Sequence, residues 1–309
     1  MNIYGQIKKN NLNTWIILTV FVALLLAIGI GFDYFYGVGH GIPLFTIIAL
    51  AVGVISSYSG YMYGDKLVLF STHVREPNPD DPKEKEWQDV VEEMSIAAGI
   101  PLPKTYVVDD PDPNAFATGR DPKHSSIVAT RGLLEILNRE ELQAVASHEM
   151  SHIRNFDIRV MLMVAVLIGS VSLLASWAGR MLFWGRGNRD RKNTGGGALV
   201  ILAIWLIAVI LAPILSQLIA MCVSRKREYL ADASGAELTR NPIALANALE
   251  KISSHFVPAH SINQGTAHLC IADPKQSSLG AKEGWVADLF ATHPPIQKRI
   301  EILKQMAYT

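Results

Sequence analysis

The sequence carries no excess of either charge: 28 basic and 28 acidic side chains cancel over 309 residues. That balance removes the basic surplus by which a nucleic-acid binder is recognised. Cysteine is nearly absent. With Cys222 and Cys270 alone there is no disulfide framework, which suits a reducing compartment for the polar parts. Internal repeats and low-complexity tracts are also missing. Charge itself is absent from four long stretches, 10–32, 34–64, 160–179 and 193–224, none of which holds an Asp, Glu, Lys or Arg.

What fills those stretches is apolar: hydrophobic residues make up 50% of the chain and are gathered into blocks. A helix rises about 1.5 Å per residue and the hydrocarbon layer is about 30 Å thick, so each block is long enough to span it. Lys8 and Lys9 ahead of the first block give it the look of a secretory signal. The aromatic patch Tyr34-Phe35-Tyr36 that follows suits a membrane interface better than a cleavage site, so an uncleaved span is expected. Residues 1–64 are thus read as two transmembrane helices and 160–224 as a membrane hairpin, leaving two polar halves, 65–159 and 225–309.

In the first half, Trp87, Val90, Val91 and Met94 recur at helical spacing within 83–98. Residues 105–108 and 126–130 read as short strands between Pro- and Gly-containing turns. Asn138 followed by Glu141 is a helix start, since the Asn side chain caps free amides and Glu favours the positive helix end. A helix over 139–155 follows. In the second half, 225–238, 242–253 and 294–306 read as helices, and 257–288 as loop-rich.

The predicted helix over 139–155 carries His148 and His152 one turn apart on one face, with Glu149 beside them. Two ring nitrogens so placed reach one zinc ion, and the glutamate can take a proton from the attacking water and hand it to a leaving amine. The bland alternative is a pair of helix histidines satisfied by local hydrogen bonds. A catalytic zinc needs a third protein ligand and an open position. Residues 155–159 offer only Asp157, whereas Glu228 lies just past the fourth apolar block. One turn after Glu228, Asp232 shares its face and is placed to hold a ligand histidine through its other nitrogen. Without the upstream motif, Glu228 and Asp232 would read as a solvated acidic face paired with Arg225, Lys226 and Arg227.

Over nearly its whole length the chain resembles the HtpX-type membrane zinc metalloproteases, relatives of the CAAX prenyl endopeptidases. The residues that carry the resemblance are His148-Glu149-Met150-Ser151-His152, Ser224-Arg225 leading to Glu228 and Asp232, Asn114-Ala115-Phe116-Ala117-Thr118-Gly119, and Thr292-His293-Pro294-Pro295. The resemblance implies a mainly α membrane protein with about four transmembrane or membrane-associated helices and a zincin-like α+β metalloprotease domain with a small sheet. It implies one Zn2+ per chain on His148, His152 and Glu228, with Glu149 as general base and Asp232 and Arg225 behind the ligands. It further implies that Asn114, Ala115 and Phe116 line the substrate cleft and that His293 approaches the substrate. Read from the residues alone, Asn114 is equally a turn residue and His293 a surface group ahead of a helix.

The two halves of this site meet only if 160–224 returns the chain to the face it left. Lys8 and Lys9 put the amino terminus in the cytoplasm, and the catalytic halves with it. The basic connector with Arg180, Arg186, Arg189, Arg191 and Lys192 then falls outside, against the positive-inside rule. Either that loop is tolerated there, or the third and fourth blocks dip in without crossing. The resemblance implies a role in protein quality control and the stress response, so the expected function is cleavage of misfolded or membrane-associated polypeptides at the cytoplasmic face of a bacterial inner membrane. The alternatives are a prenyl-protein processing protease and a non-catalytic zinc-stabilised scaffold. The expected partners are polypeptide substrates and the lipid bilayer, with no nucleic acid.

Overall fold

A computed structural model of the chain describes residues 3–35, 43–164, 166, 225–255, 269–272 and 294–307. Most of the expected membrane hairpin and its basic connector, most of the 257–288 loop, Cys222 and His293 lie outside the described residues; of Arg225 only the backbone is described.

Helices α1 (Ile3–Phe35) and α2 (Leu44–Ser71) run antiparallel. Near the end of α1 the Asp33 carboxylate accepts from the Thr46 backbone N–H at 2.9 Å and from its hydroxyl at 2.6 Å, and further along Gly53 faces Val22 and Leu25. Within α2, Thr46–Ser71 is long and apolar enough to cross a membrane, the one such helix among the described residues; Asn10–Ala23 of α1 is a shorter apolar run. The expected mainly helical architecture with a small sheet is present, and two of the four apolar blocks form these helices. The helix α2 passes the boundary read at 64. After Asp65 and Lys66 the run Leu67-Val68-Leu69-Phe70 is apolar again, and Val68 is buried, so the helix has both propensity and packing to continue.

The polar part opens on α3 (Pro82–Ala98). Asp81 caps it by accepting from the Lys83 N–H, and Gly99 at φ 66° ends it in the left-handed conformation that glycine takes without a Cβ penalty. Its stripe Trp87, Val90, Val91 and Met94 is buried, as the spacing requires. Strands β1 (Lys104–Val108), β2 (Ala115–Asp121) and β3 (His124–Thr130) form a sheet of order β1-β3-β2, with β1 parallel and β2 antiparallel to β3. Only β1 and β3 are legible as strands from residue type; β2 is Ala-rich with a Gly and an Arg, a weak strand signal. The short α4 (Arg131–Ile136) and then α5 (Arg139–Arg154) follow. The capping box at the start of α5 is present in full: the Asn138 side chain accepts from the Glu141 N–H, and the Glu141 carboxylate accepts from the Asn138 N–H. Beyond the fourth apolar block come α6 (Arg225–Thr239), α7 (Pro242–Ser254) and α8 (Ile296–Met306). One core, with Trp87, Val90, Leu133, Leu142, Val145, Ile153, Leu245, Leu249 and Leu303, joins α3, α4, α5, α7 and α8.

The exit of α2 is tied to this core by a buried carboxylate. Both Nη atoms of Arg75 donate to Glu84 at 2.7 Å, Arg131 adds a bond at 3.0 Å and the Asn78 N–H one at 2.7 Å. Hydrogen bonding from Arg75 foremost holds the Glu84 carboxyl down at about 2, against burial. Arg75 also exchanges both backbone hydrogen bonds with Val107 of β1 at 2.9 Å. Helix α2 therefore enters the domain in a fixed orientation.

Candidate metal centre

Helix α5 is polar in its middle yet buried: Ser147, His148, Glu149, Ser151 and His152 are all 4% exposed or less. Burying such groups costs free energy unless each finds a partner, so their partners define the site. Helix α6 supplies most of them along one face, at Glu228, Asp232 and Gly235. A Cβ on Gly235 would stand 3.1 Å from the His148 backbone nitrogen and 3.3 Å from its Cα. A side chain there would have to push the neighbouring helix back by a few tenths of an ångström, so glycine suits so close an approach. Ser147 closes the contact by donating its hydroxyl to the Gly235 carbonyl at 3.1 Å.

This approach brings the three expected ligand groups together. His148 Nε2 and His152 Nε2 are 3.2 Å apart, Glu228 Oε1 is 3.5 Å from the latter and Oε2 3.8 Å from the former. Ligand bonds of about 2.0–2.1 Å in a tetrahedral site imply edges of roughly 3.3–3.4 Å; the two shorter separations lie close to this and the His148–Glu228 one is longer. The other ring nitrogens face carboxylates: His148 Nδ1 is 3.0 Å from Asp232, and His152 Nδ1 is 3.1 Å from Asp157. An ionised carboxylate only accepts, so the His152 Nδ1 donates to Asp157, while Asp232 stands beside His148 Nδ1 without a hydrogen bond to it; the Nε2 atoms of the two rings face the same spot. Two ring nitrogens 3.2 Å apart need a proton or a cation between them. The donor set, two imidazoles and a carboxylate, is one that holds a divalent transition metal.

The electrostatics agree. Burial lowers the His148 pKa, outweighing Asp232, and so favours the neutral ring that ligates a metal. For His152 burial acts downward but loses to the Asp157 hydrogen bond and the charges of Glu228 and Asp157, which carry it up to about 9. Glu149 is pushed up to about 7 by burial, against the pull of His152 and a hydrogen bond from the Ala117 backbone amide. A carboxyl group poised near neutrality both takes and returns a proton.

Two residues at the centre have no counterpart in the sequence reading. Arg299 of α8, 1% exposed, grips Asp232 with Nε at 2.8 Å and Nη2 at 2.7 Å, and its Nη1 donates to the Ile271 carbonyl at 2.8 Å. The signal was present: Arg299 falls on the apolar stripe Ile296, Ile300, Leu303 of its helix, where a charge needs a buried partner. Asp157, weighed only as a ligand, stands behind His152 instead. Phe156 at φ 60° turns the chain back after α5 so that this carboxylate reaches the ring five residues before it. Asn114, just ahead of β2, and Ala115 and Phe116 on it are buried. Ala115 O accepts from the Ile271 N–H at 2.9 Å, and Asn114 Nδ2 donates to the Ala272 carbonyl at 3.0 Å, so residues 269–272 extend the sheet there.

The family model of peptidase family M48 matches residues 81–307. The chain belongs to peptidase family M48. A protease HtpX homolog of Thermoanaerobacter pseudethanolicus is 42% identical over 306 residues, covering 98% of each chain. One from Streptococcus thermophilus is 42% identical over 309 residues, covering 98% of this chain and all of its own, 100%. Among solved structures, the crystal structure of S. mikatae Ste24p aligns with TM-score 0.48 at 15% identity, covering 97% of this chain and 66% of that one. As an M48 member with HtpX relatives end to end, the chain is a metallopeptidase, a hydrolase of peptide bonds.

Proposed function

We propose that the chain is a zinc endopeptidase of a bacterial inner membrane that cleaves misfolded or membrane-associated proteins at the cytoplasmic face, in quality control under stress. The observation that carries this reading is the convergence of His148 Nε2, His152 Nε2 and Glu228 with Glu149 alongside. Imidazole ligands favour zinc over the oxygen-seeking Mg2+ and Ca2+. The placement is supported by the α1–α2 hairpin, which carries the chain back to the side of Lys8 and Lys9 before the domain begins.

In this reading zinc, when bound, supplies a Lewis acid for the scissile carbonyl and an acidified water. His148, His152 and Glu228 hold it. Asp157 accepts from the His152 Nδ1–H and Asp232 stands 3.0 Å from His148 Nδ1, so a carboxylate backs each ring and makes its other nitrogen a better donor of electron density. Arg299 keeps Asp232 ionised and in place. Glu149 takes the proton of the attacking water and delivers it to the leaving nitrogen. Replacing Glu149 with Gln is expected to leave zinc bound and to reduce cleavage of an unfolded test protein by at least about a hundredfold. Undiminished cleavage by Glu149→Gln removes this mechanism.

A further inference from the structure

Helix α1 carries two adjacent asparagines, Asn10 and Asn11, just ahead of its apolar run, and they have different partners. Asn10 is 0% exposed. Its Nδ2 donates to the Asn155 carbonyl, at the end of α5, at 2.8 Å and to Asp157 Oδ1 at 2.7 Å. The other oxygen of that carboxylate, Oδ2, lies 3.1 Å from His152 Nδ1. Arg227 adds only a longer contact, its Nε 3.7 Å from Oδ1. Asn11 instead accepts from Arg159 Nη1 at 2.7 Å and, among the described residues, has no side-chain hydrogen bond to Asp157 or α5.

Docking α1 against the domain does not require an amide here. Apolar neighbours on the same helix, Ile17 and Phe21, pack on Val160 and Val164. Burying an amide is costly unless its groups are bonded; the Asn10 Oδ1 finds no partner among the described residues, so it is the two acceptors met by Nδ2 that favour this side chain here. Both acceptors belong to the turn that follows the metal helix. Asp157 can hold the His152 ring only while its own carboxylate plane is held, and Asn10 holds it from the side opposite the ring.

We propose that Asn10 is a positioning residue of the metal centre, acting through Asp157 on His152, so that the first membrane helix sets the geometry of a metal ligand as well as anchoring the chain. The inference rests on the metal reading given above. Loosening α1 would then weaken metal binding with no ligand altered.

The test uses the full chain in detergent, loaded with zinc, and follows loss of zinc to a chromophoric chelator. Asn10→Leu is expected to weaken zinc retention about tenfold, the lower end of the range for groups that support a ligand, while Asn11→Ala changes it by less than about twofold. Cobalt-loaded Asn10→Leu is expected to show altered d–d absorption, which a change in docking alone would leave as in the parent. Thermal unfolding of the metal-free proteins reports docking separately, and Asn10→Ser, a smaller change, replaces Asn10→Leu if the latter does not fold. Unchanged zinc retention and cobalt spectrum in the Asn10 variants overturn the proposal, as does an equal loss in Asn11→Ala. Glu228→Ala keeps the two readings apart: full zinc occupancy there defeats the metal assignment itself. Zinc loss there with intact retention in the Asn10 variants defeats only the role of Asn10.

Discussion

Replacing Arg299 with leucine tests the electrostatics of the centre most directly. The guanidinium makes two hydrogen bonds to Asp232 and one to the Ile271 carbonyl, and stands 3.5 Å from Glu228. Asp232 is 1% exposed, so Arg299→Leu leaves a buried carboxylate without its main counter-charge. Breaking a buried pair in this way costs about 3–5 kcal/mol. A limit is set by protonation, because the carboxylate can take up a proton instead: from an ordinary pKa near 4, that costs about 4 kcal/mol at pH 7 and only about 1–2 at pH 5. The sign follows from the direction of the shift. In the parent the Asp232 pKa lies below its ordinary value: burial, the largest influence, raises it but loses to the Arg299 charge, the adjacent His148 ring and the hydrogen bonds of Arg299. Its contribution is therefore present above the ordinary value and lost as the pH falls through the depressed one. Without the guanidinium the shift reverses, so the deficit is full at neutral pH and shrinks on acidification toward 4. Urea unfolding of the metal-free protein in mild detergent, extrapolated linearly to water at pH 7 and pH 5, measures both quantities. A deficit below about 1 kcal/mol at pH 7, or one that does not shrink by pH 5, refutes the assignment of Arg299 as the counter-charge of Asp232.

Two further outcomes follow from shifted groups. Glu84 is held at about 2, below its ordinary 4.5, so its stabilisation is complete above pH 4.5 and is lost as the pH falls through 2. Its size is at most on the order of 3 kcal/mol, reduced by the solvent access of Arg75. Acid unfolding of Glu84→Gln should lack that component, and identical pH profiles for the two proteins would remove the clamp from the account of acid stability. At the metal site His152 is raised to about 9, so zinc must displace a proton at neutral pH. Apparent zinc affinity should fall about tenfold per pH unit between pH 8 and 7, with one proton released per ion by calorimetry in buffers of different ionisation enthalpy. A flat profile there contradicts a protonated His152 in the metal-free protein.

What the sequence makes legible in this chain is whatever is encoded within a few turns of one helix. The stripe of α3, the capping box of α5, the His148/His152 pair and the Glu228/Asp232 pair are all spacings of three or four residues, and each appears where the spacing puts it. That Glu228 meets the histidines is a longer step, and it is helped by Gly235, whose missing Cβ is a property of helix packing that no spacing announces. The strand β2 escaped a reading by residue type because its stability comes from neighbours, β3 on one side and residues 269–272 on the other, rather than from β-branched side chains. Asn10, Asp157 and Arg299 share a different cause. Each is polar and buried, and a polar residue in a sequence does not declare whether it faces water or a buried partner elsewhere in the chain. The useful sign is conflict with local pattern: an arginine on an apolar stripe, an asparagine at the head of an apolar run, a carboxylate just past a positive-φ turn. In each of these places the local rule is broken, and in each the side chain reaches a group that holds a metal ligand or the carboxylate behind one.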